Sequence, residues 1–527
     1  MNKLIASLLL ALLPFAALAA NRAEMSEWQS LNTEAMSLYQ KGNFDDAIPV
    51  ARKALQIADK IQKPDPTVLS TSLNNLAALY KEKGLYAEAE PLYQRSLAIK
   101  EKAPGRNHPE FATALSNLGA LYVVANRLDQ AELFYNRALA IREKALGANH
   151  PETRNTLNNL ASIYSSQRRY DQSEPLLKRL LAGSEDASSP EYQDAPKSMD
   201  RLAVIYGTQK RYAEAEQMLT RALAIREKTL GADHSDIASN LNNLATLYKT
   251  QSKYNRLEPI YKRIIAIKEK RAGSEALDLA GDVNNLAQTY QVMGRYDLAA
   301  PQLKRVLEIQ EKSLGSDRIE IATTASNLGL MYSALGQFDQ AEVLFKRALA
   351  IREKIGGSEN SDTAAILANL GILYNARGKP KQAEPLLKHS LEIREKIAGP
   401  DDPDVAMGLN NLASLYCDQH KYGEAISLLK RSLSISEKAL GPDHPDLATI
   451  LNNLAAAYHG NKDYEQVEGL LKRSLDITEK ALGSTHPAII SPLKNLANFY
   501  RGMGKTIQAK PFADRAAALE AARSAKE

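Results

Sequence analysis

The side chains in this sequence that could do chemistry are few in kind and return at one interval. Asparagine stands at Asn75, Asn117, Asn159, Asn243, Asn285, Asn327, Asn369, Asn411, Asn453 and Asn495, every gap a multiple of 42 residues. A carboxamide carries two donors and an acceptor, so such a series can hold a peptide backbone whatever its side chains. It can equally bond each repeat to the next and set their stacking. The series is broken once, where Lys197 and Arg201 stand four residues apart, on one face of a helix. There the two cations could fix an acidic ligand end through charge-assisted hydrogen bonds. The alternative is a pair of solvated charges.

Five histidines, His108, His150, His234, His444 and His486, also share a phase, and four of them precede proline. A metal site needs its ligands within a few ångströms, whereas same-phase residues in stacked helices lie roughly 10 Å apart. Asp402 and Asn360 take the same phase, which fits helix N-caps rather than metal ligands. His389, His420 and His459 stand at unrelated phases. One cysteine, Cys417, excludes an intrachain disulfide and a cysteine-based zinc site. No nucleophile elbow, P-loop, dinucleotide glycine fingerprint or metalloprotease helix motif occurs. The expectation is no metal, no cofactor and no enzymatic activity.

The elements that position these residues follow from the same period. Leu73-Asn74-Asn75-Leu76-Ala77-Ala78-Leu79-Tyr80 returns as Leu115 to Tyr122 and Leu157 to Tyr164, and onward to the copy starting at Leu493. A degenerate first copy starts at Leu31. Leu73, Leu76, Ala77 and Tyr80 line one face of a first helix. A turn at Gly84 leads to a second helix marked by Ala89, Tyr93, Ser96 and Leu97. A small residue at Ala77 or Gly119 lets the two helices approach closely. The run Arg137 to Lys144 lengthens the second helix, and glycine then recurs at one phase from Gly105 through Gly147 to Gly483, where a left-handed C-cap belongs. Pro91, Pro175, Pro259, Pro301 and Pro385 are expected near the start of second helices, where a missing N–H matters least. The recurring tyrosine is read as core and interface packing, and Lys-Arg pairs such as Lys178-Arg179 and Lys304-Arg305 as a solvated outer face. Residues 183–195 exchange the usual helix end for small and polar residues with Pro190, a surface loop or a hinge.

Twelve copies account for nearly all of the chain beyond Ala19, so residues 28–527 are expected to form one array. The polar helix over about 506–527 would cap its open end, and residues 20–27 form a short leader. Residues 1–19 differ in kind. Lys3, the apolar run Leu4 to Leu13 and Ala17-Leu18-Ala19 read as a secretory signal peptide cut after Ala19. The stretch is short for the alternative, a membrane anchor. The expected location is exported, periplasmic or secreted from a bacterium, with no membrane span after cleavage. The net charge of +5 is spread along the chain, and no basic block points to nucleic acid.

The helix-turn-helix spacing of leucine, small residue, tyrosine, alanine and aromatic resembles the tetratricopeptide repeat. The 42-residue unit, with L-N-N-L-A-x-L-Y, A-E-P-L, A-I-R-E-K and L-G-x-x-H-P, is similar to the repeats of kinesin light chains and their bacterial relatives. It departs from them in its signal peptide and in lacking a heptad coiled coil, so no motor-subunit role is implied. The resemblance implies an all-α, right-handed superhelical solenoid of about twelve repeats. It also implies that the asparagine phase faces a concave groove that holds a partner's peptide segment. In relatives that clamp C-terminal carboxylates a basic pair takes the phases of Lys197 and Arg201. The set is partial here, because Ser116 and Ala120 replace the clamp's other lysine and asparagine. The function expected is a non-catalytic scaffold or adaptor, a monomer holding a protein or peptide partner with an extended or acidic segment. The rivals are a self-assembling structural array and an enzyme with its site in the groove.

Overall fold

The computed structural model of the chain describes residues 22–61, 65–182 and 190–524. The expected signal peptide and residues 183–189 of the anticipated irregularity lie outside them, whereas residues 190–195, expected in the same loop, are helical, because Pro190 opens the helix Pro190–Thr208 where a missing N–H matters least. Among the described residues all regular structure is helical. The chain divides into two compact units, one ending at Leu247 and one beginning at Tyr248.

In the first unit, α1 (22–40) precedes α2 (Phe44–Lys60). Then α3 (Pro66–Glu82) pairs with α4 (Tyr86–Lys100), α5 (Pro109–Val124) with α6 (Leu128–Leu146), α7 (Pro151–Ser166) with α8 (Tyr170–Leu181), and α9 (Pro190–Thr208) with α10 (Tyr212–Leu230). Most of α11 (Ser235–Thr250) completes this unit. In the second, α12 (Leu257–Ala272) is followed by α13 (Leu279–Val292) with α14 (Tyr296–Leu314), α15 (Ile319–Ala334) with α16 (Phe338–Gly356), and α17 (Ser361–Ala376) with α18 (Pro380–Ala398). The last pairs are α19 (Pro403–Asp418) with α20 (Tyr422–Leu440), α21 (Leu447–Gly460) with α22 (Tyr464–Leu482), and α23 (Ile490–Gly502) with α24 (Thr506–Ser524).

Sequence dictates where these helices begin and turn. The imidazoles of His108 and His150 accept the N–H of Glu110 at 3.2 Å and of Glu152 at 3.3 Å, with proline following at the first helical position. His234, His444 and His486 accept in the same way, as do the carboxylate of Asp402 and the amide of Asn360. These side chains satisfy backbone donors that the first turn leaves orphaned. Each of the twelve turns from first to second helix places one residue at positive φ, again at 42-residue intervals. Glycine takes it at Gly42, Gly84, Gly294, Gly336, Gly378 and Gly504, whereas Asn126, Arg168, Lys210, Ser252, His420 and Lys462 take it in the other six.

Two local expectations are corrected. The glycines that end second helices, Gly147 to Gly483, have φ of 77° to 92° but ψ of 155° to 172°. They are therefore extended at positive φ rather than left-handed helical, a region open essentially to glycine alone. Pro259 lies in the first turn of α12, as expected, but Pro91, Pro175, Pro301 and Pro385 lie inside their helices, one turn past the first. The second helix starts earlier than the prolines suggest because the first–second turn fixes its start, at Tyr86 in α4. The carbonyl deprived of its bond, that of Ala87 below Pro91, belongs to an exposed residue that water reaches.

Within a pair, contact is close where the small residue stands. A Cβ on Gly119 would lie 3.1 Å from the Tyr135 ring, and one on Gly371 would lie 2.6 Å from Leu387. Between pairs, the recurring tyrosine is buried packing, as expected, and its hydroxyl adds a bond. Tyr122 donates to Glu90 at 2.8 Å, Tyr374 to Glu342 at 2.9 Å and Tyr500 to Glu468 at 2.8 Å, each glutamate lying on the preceding second helix. Arg127 and Arg377 bind the same carboxylates, as ion pairs at 2.7 Å. The Lys-Arg pairs are engaged rather than merely solvated. Lys178 pairs with Glu174 on its own helix, and Arg179 with Glu143 one second helix back. Within each unit, ion pairs of this kind tie second helices to their neighbours.

Candidate functional site

Each first helix buries its leucine, alanine and tyrosine stripe and leaves another stripe outward. On α19 the outward positions are Met407, Asn411, Ser414 and Asp418. Their 42-residue counterparts on the other first helices, from α3 onward, are exposed or half-buried as well. The asparagine series occupies the second of these positions. All its members are half-buried except Asn243, which is exposed.

Four of these asparagines bond the preceding repeat. Asn75 donates to Asn32 at 2.7 Å, Asn117 to Asn74 at 2.5 Å, Asn453 to Asn410 at 2.9 Å and Asn495 to Asn452 at 3.4 Å. Each still keeps one N–H and its oxygen for another partner. Asn159, Asn243, Asn285, Asn327, Asn369 and Asn411 make no such amide–amide bond among the described residues. Arg201 takes the asparagine's place in its copy. Its guanidinium donates to Asn158 Oδ1 at 2.7 Å and Ser162 Oγ at 3.0 Å, so it too clasps the preceding repeat. Lys197 is different. Its side chain is 79% exposed and meets only Asp194, at 3.2 Å across one turn.

A further feature of this face lies in the A-I-R-E-K run, read in the sequence only as helix extension. Arg142, on α6, is buried between two first helices. It donates to Ser116 and Thr113 of α5 (2.9 and 3.1 Å) and to Thr156 of α7 (2.7 Å), and it pairs with Glu152 at 3.1 Å. At the same phase Arg226 grips Asp200, Arg352 pairs with Asp362 at 2.5 Å, and Lys268 with Asp282 at 2.6 Å. One copy on, the phase holds Ser184. The four clasping residues recur there as Asn155, Asn158, Asp194 and Ser198. Together with Arg154, Lys197, Pro151 and Leu180 they line an open cavity of about 410 Å³ between α7 and α9. α8 is described as far as Leu181, whereas α6 runs on to Leu146. The guanidinium of Arg154 bonds the Leu180 carbonyl at 2.8 Å.

The second unit has a cavity of about 290 Å³ on the same face, between α21 and α23. Asn452, Asn495 and Asn498 supply amides, and Val467, Leu471 and Phe499 supply apolar walls. Among the described residues no cluster of histidine, cysteine, aspartate or glutamate could hold a metal. Burial pushes the Cys417 thiol up to about 11, away from the thiolate a nucleophile needs.

A sequence profile of the tetratricopeptide repeat matches residues 29–102, 68–144, 110–186, 194–270, 279–354, 320–396, 404–480 and 446–520. The chain belongs to the tetratricopeptide repeat family. Solved structures similar to this tetratricopeptide repeat chain include BtubC (BKLC) from P. vanneervenii, 23% identical over 44% of this chain and 91% of that one, with a TM-score of 0.36. A Podosopora anserina protein of the kinesin light chain type, with nearly identical TPR-like repeats, is 28% identical over 39% and 97%, with a TM-score of 0.35. RapI in its apo form is 14% identical over 54% and 97%, with a TM-score of 0.42. Among curated proteins none matches the chain. In this tetratricopeptide repeat array, spacing located the asparagine stripe and Lys197. It missed Arg154 and the arginine bridge. The signal for the bridge was present: a long polar side chain at every copy's A-I-R-E-K phase from Lys100 to Arg394, interrupted at Ser184.

Proposed function

We propose that this tetratricopeptide repeat chain is a non-catalytic interaction scaffold, holding an extended segment of a partner polypeptide along its first-helix face. The observation that carries the reading is the cavity between α7 and α9, edged by Lys197 and Arg154, in the copy whose sequence has serine at the bridging phase. Among the described residues no second-helix arginine bridges α7 and α9 as Arg142 bridges α5 and α7, and the described lining sets two cations, Lys197 and Arg154, beside one carboxylate, that of Asp194. An acidic ligand end placed between Lys197 and Arg154, with the Asn155 amide beside it, would redress the local charge. Arg201 supports the wall rather than the ligand, because its donors already serve Asn158 and Ser162. The apolar run Leu4 to Leu13 with Ala17-Leu18-Ala19 supports an exported protein, periplasmic or secreted.

Calorimetric titration of the full chain with two peptides, alike but for an acidic or an amide-capped neutral C-terminus, tests the reading. The acidic peptide binds more tightly, and its affinity falls with salt. Replacing Lys197 and Arg154 together by alanine erases both differences. Equal binding of the acidic peptide to the double variant removes the acidic site. Failure of either peptide to bind any region of the chain removes the scaffold.

A further inference from the structure

The outward stripe of the second unit differs chemically from the Lys197 cavity. Across the first helices α13 to α23 it carries a single charged side chain, Asp418, in a chain of which 24% is charged. The cations that reach this seam from second helices are neutralised in place, Arg352 by Asp362 at 2.5 Å and Lys268 by Asp282 at 2.6 Å. Lys494, at the seam's end, pairs with Glu520. Large apolar side chains stand outward instead: Leu330 is 36% exposed, Ile372 45% and Met407 52%, on three successive first helices. Beyond them the amide-rimmed cavity between α21 and α23 has an apolar floor of Leu471 and Phe499, both buried. A surface with Asp418 as its one outward charge and the imidazole of His459 at the cavity, offering one carboxamide per repeat and apolar side chains between, selects a ligand by backbone and by apolar contact.

Its spacing selects the ligand's conformation. Asn453 bonds Asn410 directly, so consecutive first helices lie side by side, at roughly 10 Å for packed helices. A β-strand covers that distance in about three residues, but its side chains alternate, so every third residue points the opposite way. A polyproline II segment covers about 9 Å in three residues and returns to the same side, with no internal hydrogen bonds to occupy its amides. Only the second repeats in step with the helices.

We propose that the outward stripe of the second unit binds an uncharged polyproline II segment of a partner protein, one apolar side chain of which enters the cavity between α21 and α23. This rests on the scaffold reading and adds a second site whose chemistry is the opposite of the first. Binding here is insensitive to salt, because no charge pair forms.

Selection of random peptides of about 15 residues, enough to cross five first helices at three residues each, tests it. The peptides are displayed on phage and selected on the immobilised full chain. Enriched clones carry no net charge and place proline or apolar residues at a three-residue period. Their affinity changes by less than about twofold from low to high salt. Ala456→Trp, at the exposed rim of the cavity, weakens them by about tenfold or more while leaving the melting temperature unchanged. Asn498→Glu, which sets a charge in the same rim, does the same independently. Enrichment of acidic clones, a two-residue period, indifference to both substitutions, or no enrichment at all overturns the proposal. Should the acid-ended peptide still bind at Lys197 in that event, the scaffold stands and this second site alone falls.

Discussion

Arg142 shows how a single side chain from a second helix ties two first helices together; one copy on in the sequence the same phase holds serine. The Arg142 guanidinium meets three hydroxyls and the Glu152 carboxylate in a site where it is 6% exposed. Removing it leaves the buried Thr156 hydroxyl and the inward Glu152 oxygen without their cation, and an uncompensated buried partner costs more than the bond itself contributed. Arg142→Ala is expected to lower stability by about 3 kcal/mol, read as a shift in the urea midpoint. An effect within error would mean that water substitutes for the guanidinium. Lys197 shows the converse. With most of its side chain in solvent and one exposed partner, it adds little to stability, so its replacement tests binding without unfolding the chain.

Elements are joined by recurring bonds more than by isolated ones. The Tyr374 hydroxyl, Lys346 and Arg377 converge on Glu342. The Lys346 hydrogen bond, with Tyr374 adding to it, holds the Glu342 carboxyl below its ordinary value, and Lys388 and Lys472 do the same for Glu384 and Glu468. An unfolded carboxyl titrates near about 4.3, so as pH falls the unfolded chain takes up protons first. The stabilisation is complete above about pH 5 and is lost as pH falls through the folded values. Burial, with the Glu342 bond adding to it, raises the Tyr374 hydroxyl, so its contribution is lost on the alkaline side, as pH rises beyond about 10. Urea midpoints measured against pH should show a plateau with loss at both ends. Tyr374→Phe should shrink both losses. A profile identical to that of the unaltered chain would show that these ties do not couple the helices.

At the scale of the molecule, the core is a succession of contacts between neighbouring hairpins. In the second unit one continuous cluster runs from Ala368 through Leu409 and Leu454 to Ala516. In such an array stability is a sum of repeat and interface terms. A cavity at fully buried Leu409 should cost about 2–5 kcal/mol locally. Hydrogen exchange on Leu409→Ala should quicken at amides of α17 to α22 and leave α3 to α8 unchanged. Uniform acceleration across both units would point instead to one cooperative fold.

The sequence by itself determined the repeat, the helix pairs, the buried stripe and the N-caps. Each of these depends on residues within one 42-residue unit, whose local periodicity and capping chemistry are written in order along the chain. His108 as a cap and Gly119 as a close contact were legible for that reason. Whether Asn75 and its counterparts face a ligand or a neighbour was open in the sequence. Structure shows Asn75, Asn117, Asn453 and Asn495 reaching the preceding repeat while keeping donors free. The cavity beside Lys197, the part played by Arg154, the tyrosine–glutamate ties and the charge-poor outward stripe were decided only by tertiary structure. Each joins side chains from two or three different copies, and a distance between stacked helices is a property of their packing that no spacing along the chain contains.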